Sequence, residues 1–247
     1  MRVLFLCAHA DDAEFCCGNT EIRLKRKGHQ IIIACMTGDE YGTNRDEFKG
    51  KRISRIRLRE MERAAKNISA RLDWIGYIDG YLPFNRQSFN KLNKYIQNIK
   101  PDIIFAPEPL FTLDFHTDHV TTGKLIYLAL KQMKHPPPLL YFHTFKPNYY
   151  IPCTERAESL KTLSCHISQG MARKTTHLGQ RFYQLLYSLK TRGSWFGEGY
   201  RIVRFKSGES SFSPIRKFLY YFSKTYNNVS LPGRDHYRPT PKELGLI

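Results

Sequence analysis

The sequence predicts one doubly wound, Rossmann-like α/β domain built on a mostly parallel sheet. Strand-length apolar runs alternate with amphipathic segments through the first 145 residues. The first strand–loop–helix–strand passage closes within some 35 residues, the span of a right-handed βαβ unit. Of the 247 residues, 41% are hydrophobic and 13% aromatic, enough to fill a single core of that class.

Residues 2–8 (RVLFLCA) form the first apolar run. Residues 18–28 read as a short helix, with Thr20 placed to cap it and Gly28 to end it. The β-branched run 30–36 is the second strand. Helical periodicity over 56–68 precedes a strand at 72–78; an amphipathic stretch at 89–100 precedes a strand at 102–108. Residues 121–134 read as a helix that leads into a further strand within 136–145. Past residue 150 the alternation weakens to a helix at 155–168 and a late strand at 200–206. We divide the chain into a domain, 1–206, and a basic, aromatic C-terminal extension, 207–247, that packs on the domain or docks to a surface. Residues 214–226 carry three basic residues, five aromatics and no acid, a composition that suits an anionic membrane interface.

The net charge is +17, from 39 basic and 22 acidic residues. Nucleic acid, anionic lipid and phosphorylated small molecules are all counterparts to such a charge, as is plain solubility. No nucleic-acid module accompanies it, so no specific nucleic-acid partner is expected. No apolar run reaches the roughly 18–20 residues that span a bilayer. The opening stretch meets Asp11 where a secretory signal would still be apolar, and it reads as a strand. Six cysteines without a CxxC pair read as buried free thiols in a reducing compartment. The expected location is cytoplasmic, with peripheral contact at the inner membrane face through the basic extension.

Functional groups in such sheets collect beyond the C-terminal ends of strands. The first strand ends at Ala8-His9-Ala10-Asp11-Asp12-Ala13-Glu14, and the strand at 102–108 leads to Asp114-Phe115-His116-Thr117-Asp118-His119. The fold therefore delivers both clusters to one edge of the sheet. Two imidazoles and a carboxylate make a three-ligand metal site with a position left open for water. Zinc in such a site activates water and polarises a carbonyl. Adjacent carboxylates at Asp11 and Asp12 leave one to bind metal and the other free as a base.

These residues resemble the LmbE-like, or PIG-L, family of zinc-dependent N-acetylglucosaminyl de-N-acetylases. The family's A-H-P-D-D-x-E signature is matched by Ala8 to Glu14, with Ala10 in place of proline. Its H-P-D-H signature is matched by His116 to His119, with Thr117 in place of proline. Between them, Thr37 to Gly42 resembles T-x-G-E-x-G, Arg57, Glu60 and Ala64 match R-x-x-E-x-x-x-A, and Asp79-Gly80 matches a D-G turn. Lys100 to Ile104 matches K-P-D-I-[IV], and His166-Ile167-Ser168-Gln169 resembles a later H-x-S-Q. The resemblance covers about residues 1–170. It implies zinc held by His9, Asp12 and His119, and Asp11 as the base for the attacking water. It implies further that His116 stabilises the oxyanion or protonates the leaving amine, with Asp118 orienting it. Arg57 would contact the sugar or its anionic substituent. The implied activity is hydrolysis of an N-acetyl group from an amino sugar of the N-acetylglucosamine type, in glycan, glycolipid or sugar-conjugate synthesis.

Plainer readings exist for each landmark. Asp11-Asp12 also suits a helix N-terminus, and Arg57 lies in a basic stretch that reads as a solvated helix face. Glu14 reads as structural, His166-Ser168-Gln169 as helix-end packing, and His143 as a satisfied core histidine. Two rival functions are a non-enzymatic basic binding protein and an Fe(II) enzyme built on the same two-histidine, one-carboxylate set.

Overall fold

The computed structural model describes residues 1–205, apart from 115, 172 and 192–194. The extension 207–247 and its basic segment 214–226 lie outside the described residues. β1 (Arg2–Cys7) and β2 (Gln30–Thr37) are nearly continuous apolar runs because the sheet buries both of their faces. They pair in parallel, with Val3 opposite Ile31 and Phe5 opposite Ile33. The crossover between them is α1 (Asp12–Arg26), which ends at Gly28 with φ +74°, a left-handed turn that glycine adopts without strain. Next come α2 (Lys51–Asn67), β3 (Arg71–Tyr77), α3 (Arg86–Ile99), β4 (Ile103–Pro107), α4 (Thr117–Lys131) and β5 (Leu139–Phe142). β6 (Tyr149–Pro152), α5 (Arg156–Leu163), α6 (Lys174–Leu185) and β7 (Gly197–Ile202) complete the described elements.

The described strands form one seven-stranded sheet in the order β3-β2-β1-β4-β5-β7-β6. Its first five strands are parallel, and β7 joins β5 and β6 antiparallel. Alternate residues feed two cores. Leu4, Leu6, Ile32 and Ile104 pack with Leu92 and Ile96 of α3 and Leu125 and Ile126 of α4 on one face. Val3, Phe5, Ile33 and Phe105 pack with Cys16 and Ile22 of α1 and Met61 of α2 on the other. Each fully buried side chain of this kind contributes about 1.5–3 kcal/mol. β1 is central: β2 and β3 extend the sheet on one side and β4 and β5 on the other, so the crevice opens beyond β1 and β4.

The expected α/β fold and its parallel strands are present, and three details differ. α1 starts at Asp12 rather than at residue 18, because its first turns bury polar residues (Asp12, Glu14, Asn19, Thr20, Glu21) instead of an apolar stripe. Thr20 is therefore no cap. Its backbone N–H and hydroxyl both donate to the buried Glu198 of β7 (2.9 and 2.6 Å), which also accepts from the Asn19 N–H. The antiparallel edge at β6 and β7 was legible only as one late strand, and α6 was not read at all. All six cysteines are free, and five are buried. Among the described residues no helix is long and apolar enough to cross a membrane.

Gly123 lets α4 lie against the end of β4. A Cβ there would sit 2.4 Å from the Pro107 carbonyl and 2.8 Å from the Pro109 ring. Gly123→Ala is expected to destabilise the chain by about 1–3 kcal/mol, the usual cost of overpacking, despite alanine's better helix propensity. Urea denaturation measures it, and a variant as stable as the parent would contradict this packing.

Candidate active site

β1 stops at Cys7, and the next four residues turn the chain into α1. Asp12 Oδ2 accepts the backbone N–H groups of Ala8 and His9 at 2.8 and 3.0 Å, which fixes the carboxylate and leaves Oδ1 free to point outward. Oδ1 lies 3.1 Å from His119 Nε2, and His9 Nδ1 lies 3.0 Å from the same nitrogen. His119 arrives from the opposite side of the switch point, in the first turn of α4. Its other nitrogen, Nδ1, is 2.9 Å from Asp114 Oδ2, and His9 Nε2 is 3.1 Å from Asp79 Oδ1. Each imidazole thus offers one nitrogen to the shared point and turns the other to a carboxylate, the arrangement that orients metal-binding histidines.

Four overlapping groups of His, Asp and Glu here have ligand atoms within 4.8 Å of one another: His9–Asp12–His119, His9–His116–Asp118, Asp114–His119–His143 and His9–Asp39–Asp79. The first has the best geometry for one ion. Its separations of 3.0 and 3.1 Å approach the edge of about 3.3 Å implied by tetrahedral bonds of 2.0–2.1 Å. Electrostatics agree. Burial works against charge on His119, yet Asp12 and Asp114 outweigh it and raise its pKa to about 10. Burial alone would raise Asp12, but the charges of His119 and His9 hold it well below the ordinary carboxylate range. Two nitrogens and a carboxylate that demand positive charge at one buried point fit a divalent cation such as zinc.

Asp11 sits at the N-cap of α1 with φ +94°, in the left-handed region that is strained for a side chain of this kind. Its carboxylate makes no cap hydrogen bond; it accepts from Arg57 Nη2 at 3.0 Å. Burial raises the Asp11 pKa and Arg57 opposes the rise. His116 is the N-cap of α4. Its Nδ1 accepts the Asp118 backbone N–H at 3.3 Å, so the neutral ring carries its proton on Nε2. Burial, then the charges on His9 and His119, lower its pKa to about 4.

The structure brings all seven expected residues to one edge but changes the contacts of two. The Asp118 carboxylate does not hold the His116 ring: it accepts the backbone N–H groups of Gly80 and Leu82 (2.6 and 3.4 Å) and pins that turn. Arg57, expected at the sugar, is fully buried at the cavity wall and turns to Asp11, to Asp39 (3.5 Å) and to the Ala10 carbonyl. His143 is a wall of the cavity rather than a satisfied core histidine, and its backbone is left-handed at φ +57°. Asp114 and Asp79 were missed as partners of His119 and His9. Asp79 shows in the sequence only as a turn residue, and Asp114 shows as part of the second cluster without an assigned role.

The cavity above these groups measures ≈ 370 Å³, within the range of about 300–1,000 Å³ typical of small-molecule sites. Asp39, Tyr41, Arg57 and Asp79 give it a polar arc, and Phe15, His143 and Met171 a less polar one.

The chain belongs to the PIG-L family, described as GlcNAc-PI de-N-acetylase, whose profile matches residues 4–130. It is 23% identical over 155 residues to the mycothiol S-conjugate amidase of Streptomyces coelicolor. That match takes in 53% of this chain and 52% of the amidase, so the chain spans about half the length of this curated relative. Among solved structures it is similar to the N,N'-diacetylchitobiose deacetylase from Pyrococcus horikoshii, at TM-score 0.78 and 27% identity over 88% of each chain. The 4-carboxy-2-hydroxymuconate hydratase GalB from Pseudomonas putida shares the fold at TM-score 0.70 and 15% identity, over 85% of this chain and 99% of its own. One fold thus serves more than one reaction, and the side chains must decide.

Asp114→Asn removes the charge beside His119 Nδ1 without changing size. Zinc affinity is expected to fall roughly 10- to 100-fold, the usual effect of losing a carboxylate behind a ligand histidine. Competition with a chromogenic chelator reads it, and unchanged affinity would show that Asp114 does not orient the ligand.

Proposed function

We propose that the chain is a metal-dependent hydrolase that removes the N-acetyl group of an amino sugar. The observation that carries this reading is the convergence of His9, Asp12 and His119 on one point beside an uncapped carboxylate, Asp11, in a polar cavity. The names of the similar deacetylase and amidase support the substrate class, as does family membership.

His9, Asp12 and His119 would hold the cation, which when bound supplies Lewis-acid polarisation of the amide carbonyl and of the water. Asp11 takes the proton from the attacking water; its buried setting brings its basicity nearer to neutral pH than that of a free carboxylate. Arg57 fixes the Asp11 carboxylate and keeps it ionised. His116 donates Nε2–H to the oxygen that gains charge as the carbonyl carbon becomes tetrahedral. The C–N bond then breaks, acetate leaves, and the amine receives the proton held on Asp11. The carboxylates Asp39 and Asp79 face the remaining cavity, where sugar hydroxyls find acceptors. Six free thiols support a cytoplasmic setting.

Neither rival explains as much. A basic binding protein has no use for imidazoles and carboxylates converging in a cavity. Fe(II) is separated from zinc by metal analysis of the purified protein, for which we expect zinc.

The direct test is release of primary amine from a panel of N-acetylglucosamine derivatives by the zinc-loaded protein. Asp11→Asn is expected to keep near-normal zinc while kcat falls roughly 10²–10⁴-fold, the worth of a general base. Wild-type turnover in that variant would move the base elsewhere. Asp12→Ala and His119→Ala are expected to lose zinc and activity together. Stoichiometric zinc in both, measured by elemental analysis, would sink the ligand assignment.

A further inference from the structure

The short segment after α5 meets α1, α2 and the turn at Gly42 with three side chains. His166 is fully buried, and its Nε2 lies 3.6 Å from the buried carboxylate of Glu14 in the first turn of α1. Neither Glu14 oxygen nor either His166 nitrogen has a hydrogen-bond partner among the described residues, so this pair faces chiefly itself. Two residues on, Ser168 donates its backbone N–H and its hydroxyl to the two oxygens of Glu60, at 2.9 and 2.5 Å. Glu60 is buried on α2, one turn beyond Arg57. Gln169 Nε2 then donates to the Gly42 carbonyl at 3.0 Å, and Gln169 and Gly42 both line the cavity. A Cβ at Gly42 would sit 2.7 Å from Gln169 Nε2, so the amide would have to shift to admit one. Gly170, at φ +71°, then turns the chain away.

These contacts tie α1 to α2 at the level where Asp11 meets Arg57. Asp11 has no side-chain cap of its own, and its strained backbone must be held by what surrounds it. We infer that His166 and Ser168 are positioning residues for the Asp11–Arg57 pair, and that Gln169 sets the adjacent cavity wall and so affects substrate fit. The segment lies outside the matched stretch 4–130. This rests on Asp11 acting as the base.

The test uses the zinc-loaded full chain, with kcat and KM measured for amine release and rates expressed per bound zinc. Ser168→Ala removes one of the two bonds to Glu60 at a partly buried position and is expected to fold. Its kcat should fall about 5- to 10-fold, within the worth of a typical intramolecular hydrogen bond, with KM unchanged. Ser168→Thr, which keeps the hydroxyl, should restore kcat. His166→Gln should show the same split, and Gln169→Ala the opposite one, with KM raised and kcat retained. A kcat per zinc within twofold of wild type for both Ser168→Ala and His166→Gln overturns the inference while leaving the hydrolase reading intact. So does a fall in activity matched by equal loss of bound zinc, which marks a purely structural role. If wild type releases no amine from any derivative, the hydrolase reading falls and this inference with it.

Discussion

Asp12 does two jobs with one carboxylate. Oδ2 closes the turn after β1 by accepting two backbone N–H groups, and Oδ1 is thereby aimed across the crevice at His119. Everything else at the site is arranged around that fixed oxygen. β1 and β4 are neighbours in the sheet, so the loops that follow them face each other and His119 arrives within 3.1 Å. A carboxylate in this role cannot drift, because movement would strand two buried N–H groups. Rigidity and reactivity come from the same contact.

Negative charge is concentrated around this point in a chain whose overall charge is +17. Asp11, Asp12, Asp39, Asp79 and Asp114 all line the cavity, against one buried guanidinium, Arg57, and four imidazoles. The surplus of basic residues is elsewhere, and the net charge therefore says little about what the cavity binds. Its carboxylates and imidazoles suit a cation at the floor and offer hydrogen-bond acceptors above it. Arg57 is the exception that makes the arrangement workable. Buried among Asp11 and Asp39, it is held firmly cationic by them despite its burial, and it keeps two neighbouring acids from repelling each other.

The sheet was legible because its strands are buried on both faces and so read as unbroken apolar runs. Arg2–Cys7 and Gln30–Thr37 differ from their expected limits by one residue at one end. The candidate metal cluster was legible because His9 and Asp12 are three residues apart and His119 ends a compact motif. What escaped shares one cause: it depends on partners distant in sequence. The start of α1 was hidden because Glu14 and Thr20 are buried against His166 and Glu198 rather than against apolar side chains. Asp114 looks like any loop carboxylate until α4 swings His119 over it. Arg57 lines the cavity, and its contacts to Asp11 and Asp39 were hidden because nothing local reveals that a basic helix turns one arginine inward.

The contacts of Glu198 also set an order in time. It sits on the last described strand, yet its carboxylate is hydrogen-bonded into α1, which begins with a residue of the candidate metal site. During synthesis the ribosome makes Glu198 some 190 residues after His9 and Asp12, on the order of 10–40 s later at about 5–20 residues per second. Until then, Asn19 and Thr20 lack the acceptor seen in the finished fold, and α1 has nothing to seat it from that side. His9, Asp11 and Asp12 are thus made well before the strand that completes their setting.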